Sequence, residues 1–147
     1  MQRLEFLTVV FTTALPGLGK TTMIEGLRDR FEAYPGASVR VLTSDDVRTQ
    51  SKKKYREENN TEGMDEYKIE TKAKVFYNIL MEHSLETMFQ ELKNCAGKSV
   101  FILDKNYVSP ELRNLIISKA KQVSENPLIV TILPNSIMGQ DALNIEF

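Results

Sequence analysis

The chain has 147 residues, a length that suits one domain with a single hydrophobic core. Hydrophobic residues make up 41% of the chain, its mean hydropathy is −0.29 and its formal net charge is −1, so no global basic field draws it to nucleic acid. No stretch has the length of a membrane span, and Glu5 interrupts the apolar run that resembles a secretion signal. The single cysteine, Cys95, excludes an internal disulfide and fits the reducing environment of the cytoplasm or the nucleus.

Strand and helix patterns alternate along the chain. The predicted strands cover residues 4–13, 39–42, 99–103 and 128–133, the first of them as a near-continuous apolar run. The predicted helices cover residues 20–33, 65–94 and 109–124. The polar stretch 51–63 predicts an exposed loop or a frayed helix, and the residues after 134 show no periodicity.

This alternation predicts an α/β fold, a mostly parallel sheet with helices on both faces, in one domain over residues 1–147. Ligands of such sheets bind at the carboxyl ends of the strands. Three polar clusters, residues 13–20, 44–48 and 104–106, each follow a predicted strand. We therefore expect them to meet at one edge of the sheet and to form an active site there.

The first cluster is a glycine-rich loop between the first strand and the first helix. Gly17 and Gly19 carry no Cβ, so the backbone N–H groups can point at phosphate oxygens, and the helix that follows adds the positive end of its dipole. Lys20 would contact the β- and γ-phosphates, and the Thr21 hydroxyl would bind Mg²⁺. The predicted nucleotide-binding residues are Leu15, Pro16, Gly17, Leu18, Gly19, Lys20, Thr21 and Thr22.

One position departs from the full P-loop pattern. Ala14 stands where the pattern has glycine, which is tolerable if the backbone φ there is negative. The alternative is a glycine turn that closes a strand–helix unit without binding a nucleotide. The string GKTT directly after a strand favours the P-loop.

Acidic residues follow the second and third strands. Asp104 ends the apolar strand FILD and could support Mg²⁺ opposite Thr21, or cap a turn. Asp45 could accept the proton of a hydroxyl that approaches the γ-phosphate, and Arg48, one helical turn later, could bind a phosphate of the acceptor. The alternative for this pair is a capped helix start with a local ion pair. We predict Asp45, Lys20 and Arg48 as catalytic residues, with Thr21 and Asp104 as metal ligands.

A basic stretch follows Arg48. Lys52, Lys53, Lys54 and Arg56 lie close together, with no acidic residue before Glu57. Such a stretch could follow a nucleic-acid backbone without reading its sequence, or it could be an ordinary solvated surface.

These motifs together resemble the kinase domain of 5′-hydroxyl polynucleotide kinases of the bacteriophage type, and they are similar to the kinase module of plant and fungal tRNA ligases. The matching stretches are PGLGKTT at 16–22, DDVR at 45–48, DEYK at 65–68 and LDKNYVSPELR at 103–113, so the resemblance covers about residues 6–120. It implies a P-loop NTPase-like three-layer sandwich that uses ATP and Mg²⁺.

The resemblance also implies an activity, the transfer of the γ-phosphate of ATP to the 5′-hydroxyl end of DNA or RNA, as in nucleic-acid repair or tRNA ligation. Asp45 would be the general base and Arg48 would engage the acceptor end. Lys20 and Thr21 would bind the triphosphate and magnesium, with support from Asp104. The expected partner is a nucleic-acid end, and no membrane partner is expected.

The family continues beyond the fourth strand into a helical lid that carries arginines, and then into a further strand. This sequence has no arginine after Arg113, so we expect a C-terminally incomplete domain that lacks the lid and the last strand. Two alternatives stay open. One is a P-loop kinase that acts on the hydroxyl of a nucleoside, sugar or drug, and the other is a non-catalytic ATP-binding remnant.

Overall fold

The computed structural model describes residues 6–12, 20–95, 97–105, 107–134 and 143–146. Strands and helices alternate through most of these ranges, as the sequence predicts. In chain order the elements are β1 (Phe6–Thr12), α1 (Lys20–Glu32), β2 (Ser38–Thr43), α2 (Ser44–Glu58), α3 (Glu66–Lys93), β3 (Lys98–Asp104), α4 (Pro110–Val123), β4 (Leu128–Pro134) and β5 (Leu143–Glu146).

The strands form one sheet in the order β2-β3-β1-β4-β5. The first four are parallel to their neighbours, and β5 runs antiparallel to β4. β1 lies in the centre between β3 and β4, and both of its faces need apolar cover, which explains its continuous apolar sequence.

Helices cover both faces of the sheet. Because side chains alternate along a strand, Val10 and Ile102 face one side, where Ile24 of α1 packs against them. Phe11 and Phe101 belong to the larger cluster on the other side, to which α2, α3 and α4 contribute. The buried residues of these three helices in that cluster are Val47, Met81, Leu85, Phe89, Leu92, Ile116, Ala120 and Val123. The predicted three-layer arrangement is confirmed.

Helix α3 has 28 residues and matches the prediction of a helix over residues 65–94. Asp65 caps it, because its side chain accepts a hydrogen bond of 2.7 Å from the backbone N–H of Lys68. Glu86 on α3 pairs with Lys119 of α4, and this hydrogen bond and the attraction between the charges lower the pKa of the Glu86 carboxyl. Among the helices that the structure describes, none combines the length and the apolar character that a bilayer crossing requires.

Helix α2 continues into the polar stretch. Residues 51–58 are helical, so of the two predicted alternatives, a loop or a frayed helix, the structure has a helix there. Lys54 lies over the Phe76 ring at 5.4 Å, the ring of Tyr55 lies 6.5 Å from that of Phe76, and Arg56 pairs with Glu66. The long side chains thus pack against α3, and this tertiary support does not appear in a pattern of hydrophobic residues.

The C-terminal part also differs from the prediction. We expected no strand after β4, and the structure has a short antiparallel strand, β5, at the edge of the sheet. Four residues are too few for a period of two to stand out from chance. Residues 135–142, where the expected lid would begin, lie outside the described residues.

Candidate active site at the carboxyl edge of the sheet

Three strands end side by side at the edge where the sequence predicts the site. Asp104, the last residue of β3, lies opposite Thr12 of β1 on one side and opposite Thr43 of β2 on the other. Helix α2 begins at Ser44, directly after β2, and helix α1 begins at Lys20. The structure therefore brings the end of β1, the start of α2 and Asp104 to one edge.

The structure describes only the end of the predicted P-loop. Residues 13–19, which include the predicted nucleotide-binding residues from Leu15 to Gly19, lie outside the described residues. Lys20 and Thr21 form the first turn of α1 by their backbone, and the next residue, Thr22, is exposed. The roles of these residues stay predictions, and the placement of α1 directly after the loop fits them.

Buried polar contacts fix the ends of the strands. The buried hydroxyl of Thr12 donates a hydrogen bond of 2.9 Å to the carbonyl oxygen of Leu103, the residue before Asp104. This bond joins β1 to β3 at their carboxyl ends. Asp104 is half-buried there, which limits the positions that its carboxylate can take.

The first turn of α2 is held by its cap and by α3. The Thr43 hydroxyl accepts a hydrogen bond of 3.1 Å from the backbone N–H of Asp46, and the Ser44 hydroxyl lies 2.8 Å from the hydroxyl of Tyr77 on α3. Because Ser44 is buried, this contact fixes the entry of α2 onto the sheet. Asp45 is left on the solvent side of the turn, with 87% of its side chain exposed.

Arg48 lies between two carboxylates. Its Nη1 donates a hydrogen bond of 2.7 Å to Asp45 Oδ1, and its Nε lies 3.3 Å from Glu70 Oε1 on α3. The local ion pair that the sequence offered as an alternative is therefore present, and Glu70 is an additional partner. Because Asp45 is exposed to this extent, its ion pair with Arg48 contributes at most about 1 kcal/mol to the stability of the fold. The guanidinium can therefore exchange partners at low cost when an anionic ligand approaches.

A cavity of about 230 Å³ opens beside Arg48. Its lining residues come from α2, from α3 and from the residue after β3. They are Arg48, Ser51, Glu70, Lys74, Tyr77 and Lys105. Three cations face one carboxylate across this space, so the cavity favours an anionic ligand.

Sequence reasoning did not select four of these cavity residues, which are Ser51, Glu70, Lys74 and Tyr77. Glu70, Lys74 and Tyr77 are spaced four and three residues apart, so they share one face of α3, but neither that spacing nor a strand end marked them as a site. Lys105 follows Asp104 directly at the end of β3 and belongs to the cluster 104–106 that the sequence predicts at this edge, although no role is predicted for it. Its Nζ lies 5.7 Å from the centroid of the Tyr77 ring, a cation–π contact that holds it over the cavity.

The basic stretch after Arg48 has acidic partners. Lys52 and Arg56 both pair with Glu66, and Lys54 lies 3.3 Å from Glu58. These contacts neutralise part of the charge that the sequence offered as a track for a nucleic-acid backbone. The cations that line the cavity, Arg48, Lys74 and Lys105, do not belong to this stretch.

The described residues contain no cluster of three or more histidine, cysteine, aspartate or glutamate side chains that could hold a metal ion. Magnesium bound with a nucleotide does not need such a cluster, because phosphate oxygens and water complete its octahedral shell. One carboxylate and one hydroxyl are therefore a sufficient protein contribution. Asp104 and Thr21 remain the predicted ligands.

Comparison with known proteins shows the fold. No family model matches the chain, and no curated protein does. The hexameric APS kinase from Thiobacillus denitrificans matches with a TM-score of 0.53 and 19% identity, over 88% of this chain and 22% of that chain. The crystal structure of APE1195 matches with a TM-score of 0.45 and 19% identity, over 86% of this chain and 62% of that one.

The chain thus spans about a fifth of the length of the APS kinase chain. That likeness, the 2-3-1-4 order of the parallel strands and the helices on both faces show that the chain has an α/β fold similar to that of the APS kinase chain. The polynucleotide kinase family, which the motifs resemble, is not singled out by it.

Proposed function

We propose that the chain transfers the γ-phosphate of ATP to the 5′-hydroxyl end of a DNA or RNA strand. The observation that carries the proposal is the arrangement at the start of α2. An exposed carboxylate, Asp45, lies beside a guanidinium, Arg48, that lines a cavity with two further cations. A phosphate-bearing acceptor fits this arrangement better than an uncharged one does.

The nucleotide side of the site fits ATP and Mg²⁺ in its layout. The central strand β1 leads into the glycine-rich loop, and α1 starts after the loop with Lys20 and Thr21 in its first turn. Lys20 would hold the phosphates, while Thr21 and Asp104 would offer the oxygen ligands that Mg²⁺ prefers. Bound ATP supplies the phosphoryl group, and the protein supplies its position.

The acceptor side supplies a base and an anchor. Asp45 would take the proton that the attacking 5′-hydroxyl loses as its oxygen bonds to phosphorus, and ADP leaves with the bonding pair. Arg48 would leave Asp45 for a phosphate of the acceptor, to which its guanidinium can bond through two N–H groups. Binding of the acceptor therefore frees the carboxylate that serves as the base.

A second candidate, a kinase for a small hydroxyl compound, is favoured by one observation. The basic stretch of α2 is paired with Glu58 and Glu66, so it does not extend the cavity into a long basic track. An acceptor that fills a cavity of about 230 Å³ without continuing beyond it suits this alternative.

Transfer of phosphate from labelled ATP to different acceptors distinguishes the candidate functions. We expect the wild-type chain to label RNA or DNA oligonucleotides with a free 5′-hydroxyl in preference to a panel of nucleosides and sugars. Lys20→Ala should abolish this labelling, because the lysine contacts the β- and γ-phosphates. Labelling of the small alcohols alone would favour the second candidate. Calorimetric ATP binding without any turnover, unchanged by Asp45→Ala, would indicate a non-catalytic nucleotide-binding protein.

A further inference from the structure

A second and larger cavity adjoins the one beside Arg48. Its volume is about 470 Å³, and it lies between α3 and the start of α4. The residues that line it are Tyr77, Asn78, Met81, Glu82, Lys105, Tyr107, Ser109, Glu111, Leu112 and Leu115. Because Tyr77 and Lys105 line both cavities, the two adjoin at these residues, and we refer to the pair of cavities as the groove.

The two parts of the groove differ in chemistry. The smaller cavity has three cations, Arg48, Lys74 and Lys105, against one carboxylate, so it suits a phosphate. The larger one shares Lys105 but also contains two acids, Glu82 and Glu111, together with aromatic and aliphatic side chains. A second phosphate would be repelled there, whereas a planar, uncharged group with hydrogen-bond donors would be accepted.

A phosphate followed by a planar base is the repeating unit of a nucleic-acid strand. We propose that the larger cavity binds the second nucleoside of the acceptor strand, with the phosphate that precedes it beside Lys105. The inference rests on the proposed function and deepens it. If the larger cavity binds a second nucleoside, the preferred acceptor is a single strand of at least two nucleotides and not a mononucleotide.

Tyr107 is the residue on which the second base would stack. Tyr107 is 69% exposed although its aromatic ring is large, so it contributes little to the core and its ring is accessible from solvent. It lies two residues before Ser109, whose hydroxyl accepts a hydrogen bond of 3.1 Å from the backbone N–H of Leu112 and so caps α4. The cavity volume is within the range of about 300 to 1,000 Å³ that is usual for small-molecule sites.

The two carboxylates of the larger cavity can form hydrogen bonds with a base. Glu82 and Glu111 can only accept hydrogen bonds while they are ionised. Bases with an exocyclic amino group can donate such bonds, as cytosine does through its N4 amino group. The acids are therefore compatible with a base in this position, although they disfavour a phosphate.

The test compares acceptors of increasing length. We would measure KM and kcat for a nucleoside 3′-phosphate, for the dinucleotide that extends it by one nucleoside, and for a tetranucleotide, all with a free 5′-hydroxyl. Base stacking on an aromatic side chain predicts a KM about ten-fold lower for the dinucleotide, with little further gain for the tetranucleotide. Tyr107→Ala should remove most of that gain, so that its KM values for mononucleotide and dinucleotide converge.

Tyr34→Ala is the matched control. Tyr34 is also exposed, and it contacts Lys98 at the first residue of β3, at the opposite edge of the sheet. The Tyr34→Ala variant should still show a KM about ten-fold lower for the dinucleotide than for the mononucleotide. The same acceptors titrated by calorimetry without ATP should show the same dependence on length and on Tyr107, so the result does not depend on turnover.

The outcomes separate this inference from the proposed function. Transfer to oligonucleotides with equal KM for mononucleotide and dinucleotide would overturn the second-nucleoside site and leave the kinase proposal intact. So would a dinucleotide gain that Tyr107→Ala leaves unchanged. Transfer to sugars or nucleosides only, and to no nucleic acid, would overturn the proposed function and this inference with it.

Discussion

The two halves of helix α2 carry basic residues in very different surroundings. In the first half, Arg48 is shared between Asp45 and Glu70 and lines a cavity at the carboxyl edge of the sheet. In the second half, Lys52 and Arg56 pair with Glu66. Neither of them is among the described residues that line the cavity beside Arg48. The sequence shows a higher density of positive charge in the second half, yet the first half meets the candidate site.

The difference shows that a basic stretch in a sequence need not be a basic surface. Glu66 lies ten residues after Arg56 and pairs with it because α2 and α3 pack side by side. The cations that join Arg48 at the cavity come from other elements, Lys74 from α3 and Lys105 from the end of β3. Three substitutions and one assay test how far the two halves differ in function.

The largest effect is expected from Asp45→Asn. Loss of a general base lowers the transfer rate by about 10²- to 10⁴-fold, while ATP binding should persist. Asp46→Asn is the matched control, because it removes the same charge from the same helix turn and should change the rate less than about two-fold, within the small effect of one charge near a helix N-terminus. Equal rates for the two variants, measured in single-turnover experiments, would exclude Asp45 as the base.

A smaller effect on the acceptor is expected from Arg48→Gln. Hydrogen bonds between charged groups contribute about 1.5 to 3 kcal/mol, so the KM for an oligonucleotide acceptor should rise by about ten- to a hundredfold. Arg56→Gln in the second half removes a similar charge and should alter this KM little. If Arg56→Gln raised the KM for the acceptor as much as Arg48→Gln does, the basic stretch would be part of the acceptor-binding surface, and the two halves of α2 would not differ in function.

The smallest of these effects concerns stability. Tyr77→Phe removes the hydroxyl that lies 2.8 Å from Ser44 and should lower the free energy of unfolding by about 1 kcal/mol. Tyr55→Phe, in the second half of α2, keeps the ring that packs against Phe76 and should change it by less than about 0.5 kcal/mol. Chemical denaturation of both variants gives the comparison, and equal stabilities would mean that the Ser44 contact does not anchor α2.

Much of the fold could be predicted from the sequence, because its signals are local. The continuous apolar run of β1, the apolar spacing of α3 and the proline and serine at the start of α4 each predict an element that the structure confirms. For the second half of α2 the sequence left a loop and a frayed helix open, since the choice depends on contacts with Phe76 and Glu66 of α3. The short strand β5 is defined by its pairing with β4 and lacks a pattern of its own.

The candidate site divides in the same way. Asp45, Arg48 and Asp104 follow predicted strands, so the rule that parallel strands end at one edge was sufficient to place them. Glu70, Lys74 and Tyr77 lie within a helix, where polar residues normally face solvent. Only the packing of α3 against α2 brings them to the cavity.

The most direct test of the central claim uses two oligonucleotides of the same sequence, one with a free 5′-hydroxyl and one with a 5′-phosphate. Both are incubated with the chain, Mg²⁺ and ATP labelled at the γ-phosphate. We predict that label enters only the strand with the free 5′-hydroxyl and that Lys20→Ala gives none. Equal labelling of both strands, or label in neither strand while small alcohols are phosphorylated, would contradict transfer to a polynucleotide 5′-hydroxyl.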